Sequence, residues 1–393
     1  MRKGILLLLL SVMPFIGIKA THFPAASGKS VKCIAHDSNC IYALTPDGLQ
    51  VINKATGEVT VYDKESGHFS EHGLNALALR PDTIWVGSNY GILTSITHGK
   101  AESSYHSFIP ETGEDEAYPI GINSIVFDSK GIMYIGGNNC ISRIGRSLEN
   151  MTLVFPSIYH GTEVWQMVVD NSDAVWISCT GAISGNSLMM FNADESLKVV
   201  SNSQLFCSSC VKGMTIDNDG YLWIGSYYVD ANSKDDNENW ARLLKYDGSR
   251  FSYFDVGGKY EAPISVKCDS QGRLWFLPTA PYSSVELQYK EYSKGPLCCL
   301  ADGQLTKYDI DLQIGYCYCL DIDGDSIYIG TDNGVLVYSA GAFKWLINNQ
   351  CNNISNVTAT PSASSPNFDL QGRRLIAEPK RGVYIRNGKK VVK

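Results

Sequence analysis

The sequence predicts an all-β chain built from seven copies of one four-stranded antiparallel unit, and three observations predict it. First, an apolar strand, a polar turn and an aromatic-bearing strand recur seven times: KCIAHDSNCIYAL (32–44), ALALRPDTIWVGS (76–88), NSIVFDSKGIMYIGG (123–137), QMVVDNSDAVWIS (166–178), TIDNDGYLWIG (215–225), SVKCDSQGRLWFL (265–277) and CLDIDGDSIYIGT (319–331). Second, their aromatics Tyr42, Trp85, Tyr134, Trp176, Trp223, Trp275 and Tyr328 stand 42 to 53 residues apart, the period of an array of one repeated unit. Third, apolar residues alternate with period two on both sides of each turn, the strand period rather than the helical one. Two further alternating segments follow each motif, as Ala241–Tyr246 and Phe251–Asp255 do in the fifth copy. Four antiparallel strands in each of seven units make a seven-bladed β-propeller, expected over 31–346.

The N-terminus precedes this array. Arg2 and Lys3 lead an apolar run from Ile5 to Ile18 that ends in Ile-Lys-Ala. A charged start, a short apolar core and a small last residue read as a secretory signal peptide over 1–20. A membrane anchor is the rival reading, but the run is short and contains Pro14. No other stretch is long and apolar enough to span a bilayer.

The turns come next. Asp128–Gly131, Asp217–Gly220 and Asp269–Gly272 are all Asp-x-x-Gly, and the second of them spells Asp-Asn-Asp-Gly, like the start of a calcium loop. Calcium needs more oxygen ligands, converging over about 12 residues. These segments turn straight back into apolar strands, and Asp first with Gly fourth is a type I turn preference. No metal and no cofactor is expected. Gly87, Gly136, Gly225 and Gly330 stand two residues after the repeat aromatic. A glycine inside a strand marks a close backbone approach, as crowded inner strands would require.

Asp-x-x-Gly-x-Leu-Trp-Ile-Gly at 217–225 resembles the two-component regulator propeller repeat, and Gly73-Leu74-Asn75 stands where that repeat often has Gly-Leu-Pro. The resemblance covers 31–346. It implies the propeller fold and a role like that of the extracellular sensor parts of bacterial hybrid regulators, often for glycan breakdown products. This sequence carries one propeller's worth of repeats and no kinase or DNA-binding region. Asn138–Gly145 (NNCISRIG) also resembles streptogramin-lyase-like propellers.

Residues 347–366, rich in Asn, Ser, Thr and Ala, read as a flexible linker. Residues 367–393 carry Asp-Leu-Gln-Gly-Arg-Arg, Gly-Val-Tyr-Ile and Gly-Lys-Lys-Val in that order. This tail resembles the C-terminal tails of exported Bacteroidetes proteins, which are similar to type IX sorting signals. The likeness implies secretion machinery as a partner. From 367 on, eight Lys or Arg face two Asp or Glu, whereas the whole chain is −7 and residues 1–20 hold +3, so 21–366 is −16. An exported acidic body argues against nucleic acid as a partner.

Twelve cysteines raise the question of cross-links. Cys207 and Cys210 form a CxxC, Cys298 and Cys299 are adjacent, and Cys317 and Cys319 lie two apart. These fall on different repeats, so buried thiols or one or two disulfides are favoured over zinc. The CxxC lacks the helix N-terminus that would make it redox-active. His68-Phe-Ser-Glu71-His72 spells a metallopeptidase pattern, but Gly67 and Gly73 bracket it in a blade connector, where the required helix does not fit.

Propeller function sits in loops on one face. The segments after the second strand are long in blades 4, 5 and 6: Cys179–Ser187, Tyr227–Trp240 and Pro278–Pro296. They and the neighbouring connectors supply the candidate ligand-binding residues Tyr118, Tyr159, His160, Tyr227, Tyr228, Asp230, Trp240, Tyr282, Tyr289 and Tyr292. Aromatics mixed with carboxylates and amides suit a sugar, by stacking and hydroxyl bonding. The bland alternative is that these tyrosines pack their own loops. The expected function is non-catalytic: an exported propeller that binds a glycan or protein ligand through this face, with no catalytic residue assigned. A lyase or hydrolase using carboxylates or His160 is the alternative, and a cell-surface scaffold is a third.

Overall fold

The computed structural model describes residues 30–108, 118–138, 140–144, 151–154, 163–180, 188–192, 196–200, 210–228, 240–257, 262–278, 293, 295–310 and 315–348, with 367–368, 374–375, 383–386 and 389–392 in the tail. The chain divides into two units, Met1–Asn348 and Asn349–Lys393. The first is the seven-bladed propeller. Its blades are four-stranded antiparallel sheets, each with its strands in chain order. They run over 33–63, 74–105, 124–154, 163–200, 210–257, 263–308 and 317–348. A two-residue ribbon pairs Tyr118 with Phe108 and Pro119 with Ser107 between blades 2 and 3. In the second unit, Asn367–Phe368 is flanked by Arg374–Leu375 and Val383–Arg386, and Lys389–Val392 completes a small antiparallel sheet.

All seven repeat aromatics fall on the second strand of their blades. Each packs in a cluster shared with the following blade. Tyr42 joins Leu74 and Val86; Trp176 joins Val211 and Met214; Tyr328 joins Val31, Ile34 and Ala43. Seven such clusters, one for each junction, form the core.

The turn aspartate explains why its carboxylate and the aromatic recur together. Asp217 Oδ1 accepts backbone N–H bonds from Asp219 (3.0 Å) and Tyr221 (2.8 Å), while Oδ2 accepts the Trp223 indole N–H at 2.7 Å. Asp170 and Asp269 hold Trp176 and Trp275 the same way, at 2.8 and 2.9 Å, and Asp37 takes the Tyr42 hydroxyl at 2.6 Å. One side chain therefore closes the turn and orients the residue that covers the blade junction. The calcium-like spelling is accounted for by these protein donors.

Blade 4 departs from Asp-x-x-Gly and shows why. Asp173 stands in the glycine position with φ of 64°, and its carboxylate accepts the Ser129 N–H (2.9 Å) and hydroxyl (2.8 Å) from blade 3. A bond between blades offsets the cost of the left-handed backbone. Blades 2 and 7 use two-residue turns instead, pairing Arg80 with Thr83 and Asp323 with Ser326.

The second-strand glycines meet the next blade. A Cβ on Gly225 would lie 2.1 Å from the Pro263 carbonyl oxygen, and one on Gly330 2.6 Å from that of Val31. Gly87 and Gly136 would meet Ile122 and Val164 at 2.4 and 2.6 Å.

Closure of blade 7 onto blade 1 exchanges no strand. Val31 N–H donates to Thr331 O at 2.9 Å, and the Tyr328 cluster fills the junction. At the other end of the first strand His36 Nδ1 lies 2.6 Å from Asp321, and Lys54 bridges Asp323 at 2.5 Å. The hydrogen bond to Asp321 holds the His36 imidazole above its usual pKa, opposing burial; Asp323 supports it and Lys54 counteracts it.

Asp217→Ala should cost about 2 kcal/mol, since it strands a buried indole N–H and opens the turn. Gly225→Ala should cost about 1–3 kcal/mol by overpacking. Urea unfolding measures both, and millimolar calcium should leave the wild-type melting point unchanged. The protonated His36 stabilises the closed ring fully below about pH 6.5, the unfolded value. That contribution disappears as pH rises through the raised folded value. Unfolding free energy should fall across that window in the wild type and stay flatter in His36→Gln.

Candidate functional site at the channel mouth

The first strands of the blades surround a central channel, and five of them are irregular near the start. Their pairing with the second strand shifts between Leu74 and Ala76, Val164 and Gln166, Val211 and Gly213, Ile264 and Lys267, and Cys317 and Cys319. A bulge breaks strict alternation and re-aims a side chain. Asn75, Trp165, Ser265 and Tyr318 stand at these shifts and line the channel. In blades 1 and 3, Lys32 and Asn123 hold the matching place just before the first strand.

At one end the channel opens into a recess of about 430 Å³. Asn75, Trp165 and Tyr318 line it from the first strands, Lys32 and Asn123 from just before them, and Asn89 and Asn138 from the loops after second strands. Lys32, Cys33, Asn123, Trp165 and Tyr318 also line a deeper cavity of about 710 Å³, so recess and channel are continuous.

The lining is held in place by its own bonds. Asn75 Nδ2 donates to Asn123 Oδ1 at 2.5 Å, and Asn123 Nδ2 to Val164 O at 3.0 Å. The Lys32 ammonium lies 3.4 Å from the centre of the Tyr318 ring, a cation–π contact. The Tyr318 hydroxyl donates to Asp332 at 2.6 Å, and Ser30 Oγ donates to the same oxygen at 2.9 Å. Gly121 brings its backbone against the Asn138 amide, where a Cβ would lie 3.2 Å from Nδ2. Tyr90, 58% exposed, stands next to Asn89 on the rim.

Thr180, Tyr228 and Pro278 end the second strands of blades 4 to 6 at the position that Ser88 and Gly137, which precede Asn89 and Asn138, hold in blades 2 and 3. Strand boundaries leave 181–187, 229–239 and 279–296 between second and third strands in blades 4 to 6, against two or three residues in the other four. Tyr227, Tyr228 and Trp240 lie on the strands at the base of the blade 5 loop, with Tyr228 and Trp240 cross-strand partners. Tyr118 lies in the short ribbon described above. Tyr159, His160, Asp230, Tyr282, Tyr289 and Tyr292 lie outside the described residues.

Lys32, Asn123, Trp165 and Tyr318 escaped the sequence reading because they fall inside repeats, where residues are assigned to packing. A signal exists: in every blade the channel-mouth position falls ten or eleven residues before the repeat aromatic. Aligning the copies on that aromatic exposes a column of Lys, Asn, Asn, Trp, Lys, Ser and Tyr.

The nine described cysteines are all free thiols, and among them Cys140, Cys179, Cys298, Cys299 and Cys317 are buried. Cys207 lies outside the described residues, and nothing is described of the Cys210 side chain. Burial pushes the thiol pKa to about 12 at Cys140 and Cys317 and to about 11 at Cys299. His68-Phe-Ser-Glu71-His72 is non-helical: His68 bonds Ser66 and Gly99, His72 faces Asp47, and Glu71 accepts from Ser88. No cluster of three or more metal-ligating side chains exists among the described residues. Native protein should therefore react with a thiol reagent at Cys140, Cys179 and Cys317 only on unfolding, which mass spectrometry of pulse-labelled protein reads directly. Fast labelling of Cys140 in the native state would contradict the packing.

No family model and no curated protein matches the chain. Solved structures do. The chain is similar to virginiamycin B lyase from Staphylococcus aureus, at 14% identity and TM-score 0.60, over 79% of this chain and 94% of that one. It is similar to the extracellular domain of BT3049 from B. thetaiotaomicron, named as a hybrid two-component system, at 14% identity and TM-score 0.58, over 91% of this chain and 44% of that one. It is also similar to PorZ, a surface component of the type-IX secretion system of Porphyromonas gingivalis, at 14% identity and TM-score 0.56, over 95% of this chain and 56% of that one. At these identities the likeness is one of fold: the chain shares its propeller with extracellular and surface proteins of Bacteroidetes and with a lyase. No helix among the described residues is long and apolar enough to cross a membrane.

Proposed function

We propose that this chain is an exported binding propeller that captures its ligand at the channel mouth, with the loops of blades 4 to 6 as the outer wall. The observation that carries the reading is the convergence of five blades on one recess: bulged first strands present Asn75, Trp165 and Tyr318, and Lys32 and Asn123 join them from just before the first strands of blades 1 and 3. Amide and aromatic groups hold a ligand by hydrogen bonding and stacking and do not exchange protons near neutral pH. The set therefore suits recognition, as in a sensor, more than hydrolysis or elimination. The tyrosines of the long loops would extend the contact surface outward. The fold likeness to the extracellular domain of a hybrid two-component system and to a surface component of a secretion system supports the setting.

A glycan array and thermal-shift screen on the full chain tests this. Trp165→Ala and Asn75→Ala should each weaken a hit at least about tenfold, about 1.4 kcal/mol. Trp240→Ala and Tyr289→Ala should weaken it several-fold. Loss in the loop variants with full binding in Trp165→Ala would move the site away from the channel to the loops.

A further inference from the structure

The charges of the channel run against those of the chain. The whole chain is −7, yet the charged side chains in the described lining of recess and channel are Lys32, Arg80 and Lys267, all cationic. Lys32 is the one shared by both cavities. Asp332, beside the mouth, is already engaged by three donors: Ser30 Oγ and the Tyr318 hydroxyl on one oxygen, the Tyr316 N–H at 2.9 Å on the other. Deeper in, Arg80 lies over the Phe127 ring at 5.1 Å and Lys267 stands 3.9 Å from Asp321.

We propose that the recess takes the acidic end of a carbohydrate, a sugar bearing a carboxylate, with Lys32 receiving the charge. The proposal rests on the channel-mouth reading and names its ligand class. An acidic body repels anions at long range, so any anion bound here is recognised locally, where the cation sits in a concave, partly desolvated site. The remaining groups match a sugar. Trp165 and Tyr318 offer flat faces for C–H stacking, and Asn75, Asn89, Asn123 and Asn138 offer donors and acceptors for hydroxyls. A peptide anchor would need a deep apolar pocket, whereas the aliphatic lining of the recess is Val164 with the Cys33 side chain.

The test uses the full chain and three acidic oligosaccharides: oligogalacturonate, oligomannuronate and sialyllactose. Each is compared by calorimetry with its methyl ester, which keeps the ring and hydroxyls and removes the charge. At least one acid should bind at least about tenfold tighter than its ester, the difference shrinking with added salt. Lys32→Gln should abolish the difference and Lys32→Arg should keep it, with melting points confirming that both variants fold. An acid and its ester binding equally, and both lost in Trp165→Ala, would overturn the acidic ligand while leaving the channel-mouth reading intact. Failure of all three acids to bind would overturn the inference, and so would an acidic peptide that binds through Lys32 where they do not.

Discussion

Each blade can bury its repeat aromatic only against the next blade, and the whole ring depends on that constraint. Trp176 needs Val211 and Met214 of blade 5, and Tyr328 needs Val31, Ile34 and Ala43 of blade 1. No blade carries a complete core of its own. Stability is then shared around a closed array of neighbour contacts. The seventh contact closes without a borrowed strand, on the Tyr328 cluster, one backbone bond at Val31 and the His36 and Lys54 ion pairs. The turn aspartates serve this arrangement by fixing the ring that faces the neighbour.

Crowding at the centre follows from the same constraint. Gly87, Gly136, Gly225 and Gly330 let one blade's second strand touch the chain at the start of the next blade. With the strands so close, a side chain directed at the axis shares its space with those of other blades. Bulges in blades 2, 4 and 7 and the residues just before the first strands of blades 1 and 3 collect such side chains at one end, so a recess forms from positions far apart in sequence. Asn75 and Asn123 are 48 residues apart and hydrogen-bonded. Groups placed on or beside paired strands and tied to one another are held in fixed positions, which favours recognition of a defined ligand shape.

Much of the fold was legible in the sequence because its rules are local. Period-two alternation, Asp-x-x-Gly turns and a recurring aromatic each act within about a dozen residues, and the repeat multiplies the signal. Even the close approach at the strand glycines could be inferred, because a strand keeps a glycine only for a spatial reason. The tail resembles sorting signals in its order of motifs, whereas its short paired strands, such as Val383–Arg386 with Lys389–Val392, are visible only in the structure. In blade 4, Asp173 broke the Asp-x-x-Gly pattern for a reason located in blade 3, at Ser129.

The sequence by itself determined the number of blades, the strand and turn that build each one, and the face on which loops leave. It could do so because hydrophobic period and turn chemistry need no distant partner. Only the tertiary structure decided which residues meet at the axis. A bulge shifts a strand by one residue and reverses which side chain faces inward, and it is read from pairing with a neighbouring strand. Lys32, Asn75, Asn123, Trp165 and Tyr318 became one recess through bulges at Asn75, Trp165 and Tyr318 and the curvature that brings five blades around a common channel.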